Sequence, residues 1–234
     1  MKDITIIIVV ALTLTVHAQG QVVSNNFFSL GVSGGFSLMA AEHAIKDYTQ
    51  TKFETGATYC FTPAYHFAPS LSSIAFHIGG YVGHHSMELT EAGQSFGTLN
   101  ITPVMIFLGF GRYEFGNSEA YLRMDLGFGQ AFTSFDNGAF IRSIEREYGV
   151  TVNVNTDNSF VLDLHGEVGI FLSNSISLFG QGQLLLQNVG NHWTMSGNNQ
   201  TAPMPDFGDF QASSMQLLIG LRYWGFDEAD RWTY

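Results

Sequence analysis

ITPVMIFLGFGRYEF (residues 101–115), GNSE (116–119) and AYLRMDLGFGQAF (120–132) form the stretch whose reading decides the fold. At period two, the second arm sets Ala120, Leu122, Met124, Leu126 and Phe128 on one face and Tyr121, Arg123, Asp125, Gly127 and Gly129 on the other. Alternation over that length predicts a half-buried β-strand. The first arm ends in Arg112-Tyr113-Glu114-Phe115 just before the turn, so the two arms form a hairpin with aromatic residues at its closed end. Both arms exceed the roughly 5–6 residues usual for soluble strands and match the ~9–11 of a tilted strand crossing a bilayer.

Working outward, six further arms follow the same rule, near 27–38, 53–67, 73–84, 159–171, 176–187 and 213–226. The cleanest is the first, where Phe28, Leu30, Val32, Phe36 and Leu38 alternate with Ser29, Gly31, Ser33, Gly35 and Ser37. In the second of the six, Phe53, Ala57, Tyr59, Phe61 and Tyr65 stand opposite Glu54, Gly56, Thr58, Cys60, Thr62 and His66. Tight turns join the second arm to the third, the fourth to the fifth and the sixth to the seventh. The connections near 39–52, 85–98, 133–157 and 188–212 are long and polar. Strict alternation of short and long connections is the form of an up-and-down membrane barrel, with short periplasmic turns and longer extracellular loops.

Composition agrees. Only 12% of residues are charged, against about 25% in soluble domains, while 14% are aromatic and 26 are glycine. Most of the outer surface therefore does not face water. Residues 1–18 read as an export signal, with Lys2, an apolar run from Ile4 to Val16 and a small-residue site at Val16-His17-Ala18, leaving 19–234 as one barrel domain. No Cys near that site offers a lipid attachment point, and the lone Cys60 excludes an intramolecular disulfide. The formal charge of −11 argues against nucleic-acid binding. After residue 18 no segment has the length and unbroken apolarity of a spanning helix, which leaves a closed barrel as the architecture for a membrane.

An eight-stranded secreted carrier, with the apolar face turned inward, is the competing architecture. It is disfavoured because the polar faces are Gly, Ser, Thr and Gln with few charges, which suits a cramped interior better than a wet surface. The strands are also long, and long and short connections segregate to opposite ends. The prediction is all-β: an eight-stranded antiparallel up-and-down transmembrane β-barrel.

Phe110-Gly111-Arg112-Tyr113-Glu114-Phe115, the strand from Ala120-Tyr121-Leu122-Arg123 to Gly127-Phe128-Gly129, Gly166-Glu167-Val168-Gly169 and the run from Leu217 to Trp224 resemble the small outer-membrane β-barrel proteins of the OmpX, OmpW and OmpA-barrel type. The resemblance covers essentially all of 19–234, although these motifs are generic to the superfamily. It implies an integral protein in the outer membrane of a Gram-negative-type bacterium, monomeric and surrounded by outer-membrane lipid. Its expected role is structural, in envelope integrity or in surface contact with an extracellular ligand or partner, through mobile long loops and without catalysis or cofactor. Such barrels often end on an aromatic of the last strand, whereas here residues 227–234 follow Phe226.

With the apolar faces toward lipid, Glu54, His66, His77, Arg112, Arg123, Asp125, Asp163, His165, Glu167 and Arg222 point into the barrel. Arg123, Asp125, Asp163, His165, Glu167 and Arg222 form the expected lumen network, with an Arg123–Glu167 pair at its centre and buried charges paired to close the lumen. Phe67, Tyr113, Phe115, Tyr121, Phe171 and Tyr223 form the expected periplasmic aromatic girdle. Two alternatives remain open. Val104, Ile106, Leu108 and Phe110, read as inward beside Leu185 and Leu218, suggest a narrow porin or a carrier for small hydrophobic solutes, since OmpW-like members are thought to pass such molecules. His84-His85-Ser86 with Glu88 resembles the His-x-Ser arrangement of lipid A deacylases. These histidines with His43 have no metal-ligand spacing, so no metal is expected.

Overall fold

The alternating arms become the staves of a closed wall in the computed structural model, which describes residues 26–41, 44–45, 50–67, 74–113, 120–173, 175–197, 200–204 and 209–225. The elements are β1 (Phe27–Met39), β2 (Thr51–Phe53), β3 (Gly56–Phe67), β4 (Ile74–Glu91), β5 (Gln94–Tyr113), β6 (Ala120–Asn137), α1 (Ala139–Tyr148), β7 (Thr151–Thr156), β8 (Ser159–Phe171), β9 (Ile176–Leu186), β10 (Asn191–Gly197), β11 (Gln200–Pro203) and β12 (Ser214–Gly225). The main sheet runs β4-β3-β1-β12-β9-β8-β6-β5 and closes through β4–β5, giving eight antiparallel staves with β2 as an extra strand on β4. First and last staves pair from Phe28–Gly225 to Met39–Ser214, so the eight-stave wall closes on itself. The expected signal at 1–18, Phe115, His43 and the tail 227–234 lie outside the described residues.

Orientation follows from which side chains are covered. Leu122, Met124, Leu126 and Phe128 are exposed, as are Leu162, Leu164, Val168 and Ile170 on β8 and Met215, Leu217, Ile219 and Leu221 on β12. Monomeric soluble proteins rarely show apolar patches beyond a few hundred Å2, and here the apolar belt encircles the wall. Hydrocarbon is the solvent that accepts it.

The staves differ in length for a reason. β8, β9 and β12 have 13, 11 and 12 residues, close to one bilayer crossing, whereas β4, β5 and β6 have 18, 20 and 18. The surplus stands beyond the membrane as a three-stranded extension. The expected long loop at 85–98 is therefore strand on both sides of a two-residue turn, Ala92-Gly93, with Glu91 paired to Gln94. Both turn residues have positive φ, 49° and 79°, which gives the twist that a two-residue hairpin needs. Of the other long connections, 138–158 holds α1 and β7, and 187–213 holds β10 and β11; β7, β10 and β11 form a second sheet.

Above the wall these segments share an apolar cap. Phe210 is fully buried, stacks on Phe135 at 5.6 Å and meets Phe53 edge-on at 5.9 Å. Its backbone bridges to both Ile45 and Val189. Phe53, read from the sequence as lipid-facing, thus lies under the cap, because the chain breaks its alternation at Glu54-Thr55 between β2 and β3.

Leu126 is 60% exposed and sits opposite Leu108 and Leu164 in mid-wall. Leu126→Arg should cost about 2–4 kcal/mol in denaturant unfolding from lipid vesicles, the usual cost of a cation at the midplane. Ser134→Arg, on the protruding part of β6, should stay within about 0.5 kcal/mol. Ala92→Gly should raise stability by about 1 kcal/mol, since a left-handed alanine is strained where glycine is not.

Candidate functional site

The covered face of the staves builds an interior in two tiers. Toward the short-turn end the alternation β6 Tyr121, Arg123, Asp125 and β8 Asp163, His165, Glu167 turns every polar side chain inward, where all six are buried. Toward the long-connection end the interior is largely apolar, with Met87, Leu99, Ile101, Met105, Phe107, Leu185 and Leu218 buried together around one polar network, in which Thr58 Oγ1 and the Gln216 amide nitrogen lie 2.6 and 2.9 Å from His85 Nδ1. A barrel of eight staves is just wide enough for such side chains to fill it.

Two ionic clusters occupy the polar tier. Arg222 on β12 donates through Nε and Nη2 to the two oxygens of Glu167 at 2.8 and 2.5 Å. Its Nη1 also donates to Ser29 Oγ at 3.2 Å and to the Thr62 carbonyl at 3.3 Å, so one guanidinium ties β12 to β8, β1 and β3. In the second cluster Arg123 Nε donates to Asp125 Oδ2 at 2.7 Å, and His77 Nε2 contacts the other oxygen of Asp125. His165 lies between two carboxylates, 2.6 Å from Asp163 through Nδ1 and 2.6 Å from Asp125 through Nε2. A ring that donates at both nitrogens is an imidazolium. Arg123, Arg222 and His165 thus stand against Asp125, Asp163 and Glu167 in the interior.

The expected Arg123–Glu167 pair is replaced by these two. Arg123 and Glu167 are opposite in register, but Glu167 is taken by the bidentate Arg222 and Arg123 turns along its own strand to Asp125. Room for that turn comes from Gly109, where a Cβ would collide with the Asp125 carboxylate and the His77 ring. The Arg123 guanidinium also lies 4.8 Å from the centre of the Phe107 ring, a cation–π contact.

Other expected positions differ. Tyr121 and Phe171 belong to the interior floor, not to an outer girdle: Tyr121 is 3% exposed, donates to Glu167 at 2.6 Å and packs with Phe171 and Trp224. Their sequence parity already carried this, since Tyr121 shares a face with Arg123 and Phe171 with Glu167. Phe67 and Tyr223 do face outward, each 46% exposed, while Tyr113 closes β5 opposite Tyr121. Arg112 lies on the exposed face of β5. Glu54 lies outside the wall, 2.8 Å from Lys52 Nζ, where hydrogen bonds from Lys52 and Thr90 hold its carboxyl below the ordinary carboxylate range. Ile106, Leu108 and Phe110 are more than half exposed to the membrane, so the inward residues of β5 are Met105 and Phe107 of the opposite parity.

Sequence reading missed the supports of the network. Trp224 is fully buried and donates to Ser177 Oγ at 2.8 Å, and Phe27 stacks on His66 at 4.5 Å. Only their alternation phase could have flagged them. His84 and Ser86 share the outer face of β4, where His84 Nδ1 lies 3.3 Å from Thr102 Oγ1 and its ring meets Tyr59, while His85 turns inward to Thr58.

No family model and no curated protein sequence matches the chain. Among solved structures it is similar to the outer membrane protein OprG from Pseudomonas aeruginosa, at 12% identity and a TM-score of 0.56 over 85% of this chain and 96% of that one. The outer membrane protein AlkL, at 12% identity, 90% and 95% coverage and a TM-score of 0.47, and Neisserial surface protein A, at 9%, 86% and 97% and 0.41, are also similar. At these identities the likeness to OprG is one of architecture, and it agrees with the apolar belt and the closed ring: the chain has the fold of a small, eight-stranded outer-membrane β-barrel.

Proposed function

We propose that this chain is a closed, non-conducting barrel of the outer membrane that acts through what it holds above the bilayer, in envelope integrity or surface contact, without catalysis. The observation that carries this reading is the pair of fully buried ionic clusters. Arg123, Asp125, Glu167 and Arg222 side chains have no solvent exposure. A water-filled pore would wet at least one face of such charges. Instead each has a countercharge, between a floor of Phe27, Tyr121, Phe171, Phe179 and Trp224 below and a tier above in which apolar side chains surround Thr58, His85 and Gln216. The ordered cap supports the surface role, because α1 and the β7-β10-β11 sheet present a shaped face rather than plain connections.

The second reading, a narrow porin or hydrophobic carrier, keeps one supporting observation. The upper tier is apolar on its inner side through Met105, Phe107, Leu185 and Leu218. Those side chains are buried against one another, the arrangement of packing. Lipid A modification by His84, Ser86 and Glu88 has less support, since the His84 ring is engaged with Thr102 and Tyr59. An unchanged lipid A mass spectrum on expression would dispose of it.

Purified protein in planar bilayers should give no conductance steps at the level of a water-filled channel; such steps, altered by Arg123→Ala, would overturn the closed lumen. Arg222→Ala should cost about 3–5 kcal/mol in unfolding experiments because it strands Glu167 without a countercharge. The double variant Arg222→Met with Glu167→Leu should recover most of that loss, since an apolar pair of similar volume leaves no buried charge behind.

A further inference from the structure

The small sheet of the cap has two unlike faces. Val152 and Trp193 point inward and belong to the buried apolar cluster around Phe210. Register sets the opposite face: Ser196 lies between Thr151 and Thr201, Thr194 between Asn153 and Pro203, and His192 beside Asn155. On the flanking strands β7 and β11 these residues are exposed, and on the central β10 Thr194 and Ser196 are partly exposed.

The composition of that outer face is selective. No Asp, Glu, Lys or Arg occurs in the three strands, although a water-facing surface is usually about 25–35% charged and the chain as a whole has a formal charge of −11. A charge stands only at the margin, where the Asp157 carboxylate lies 3.3 Å from His192 Nε2. The outer face also lacks the large aromatic and aliphatic anchors on which protein interfaces are centred, Pro203 being its one apolar side chain. Hydroxyls and amides make up the rest, the uncharged groups that binding loops use for adaptable hydrogen bonding.

We propose that the outer face of the β7-β10-β11 sheet binds an uncharged, hydroxyl-rich glycan chain, an inference that rests on the reading of this protein as one of surface contact and names the partner's chemistry. Sugar hydroxyls both donate and accept, as do the Asn amides and the Ser and Thr hydroxyls, so each contact is matched in either sense. Strands about 4.8 Å apart, with a same-face repeat of about 6.8 Å, set these groups in a grid along which a polymer can lie. Burial of the inner face holds the grid in place before binding, which lowers the ordering cost. An anionic polymer would find no cation on this face and would meet the negative charge of the whole chain. A protein partner would find no apolar centre.

The test is an amide chemical-shift titration of the full chain in phosphatidylcholine nanodiscs with oligomers of dextran, mannan and galactan, and with polygalacturonate as the acidic counterpart. Saturable shifts confined to 151–155, 192–196 and 201–203 are expected with at least one neutral polymer, with apparent affinity falling about tenfold in the double variant Asn153→Ala with Thr194→Val. Ser134→Ala, on the outer face of β6, should leave the affinity unchanged. Thr194→Val keeps a β-branched side chain and both positions point outward, so the unfolding midpoint should stay at the parent value. Absence of saturation with all three neutral polymers would overturn the site, and equal shifts with polygalacturonate would overturn the preference for an uncharged partner. Adhesion of cells displaying the chain to other cells, undiminished in the double variant, would keep the surface-contact role and overturn this face as its site.

Discussion

Inside hydrocarbon a backbone N–H has no water to turn to, so every stave of the wall must find a partner on both sides. The β1–β12 and β4–β5 ladders meet that demand by closing the ring. Everything else follows from the closure. Eight staves fix a narrow interior, the period-two pleat sends alternate side chains into it, and those side chains must fill it without stranding a charge. The outer residues need only be apolar.

The contents of the interior are a consequence of that narrowness. Arg123, Arg222 and His165 sit in one small volume with Asp125, Asp163 and Glu167; Asp125 meets Arg123 and His165, Glu167 has the bidentate Arg222, and Asp163 meets His165. Arg222 spans from Glu167 to Ser29 and Thr62, so a single side chain connects staves on opposite sides of the lumen. The charged side chains are buried between the aromatic floor and the upper tier, and a low local dielectric strengthens such bonds. In the proposed reading, closure of the lumen and cohesion of the wall are one physical arrangement.

Most of the architecture was legible in the residues, because alternation is a local property and period two needs no partner to be recognised. Leu122, Met124, Leu126 and Phe128 announce an apolar face by themselves, and the spacing of turns announces an up-and-down order. The candidate network was legible to the same depth: inward parity picks out Arg123, Asp125, Asp163, His165, Glu167 and Arg222. Parity also argued against Tyr121 and Phe171 as girdle residues, and aromatic enrichment at strand ends masked that. On β5, where both faces are apolar, the residues carry no phase, and Val104, Ile106, Leu108 and Phe110 could be told from Met105 and Phe107 only by the ladder to β6.

By itself, then, the sequence determined the class of fold, the length of the membrane-crossing segments, the lipid-facing surface outside β5 and the inward parity of the six-residue ionic set, while it misplaced Glu54 and Arg112. The pleat and the cost of exposing polar groups to lipid are enough for that. Tertiary structure alone decided the partners. Register and curvature brought Arg222 of the last stave to Glu167, turned Arg123 to Asp125 over the space left by Gly109, and carried β4, β5 and β6 beyond the membrane to support a cap around Phe210. Pairings of this kind depend on distances between strands far apart in the chain, and no local pattern of residues contains them.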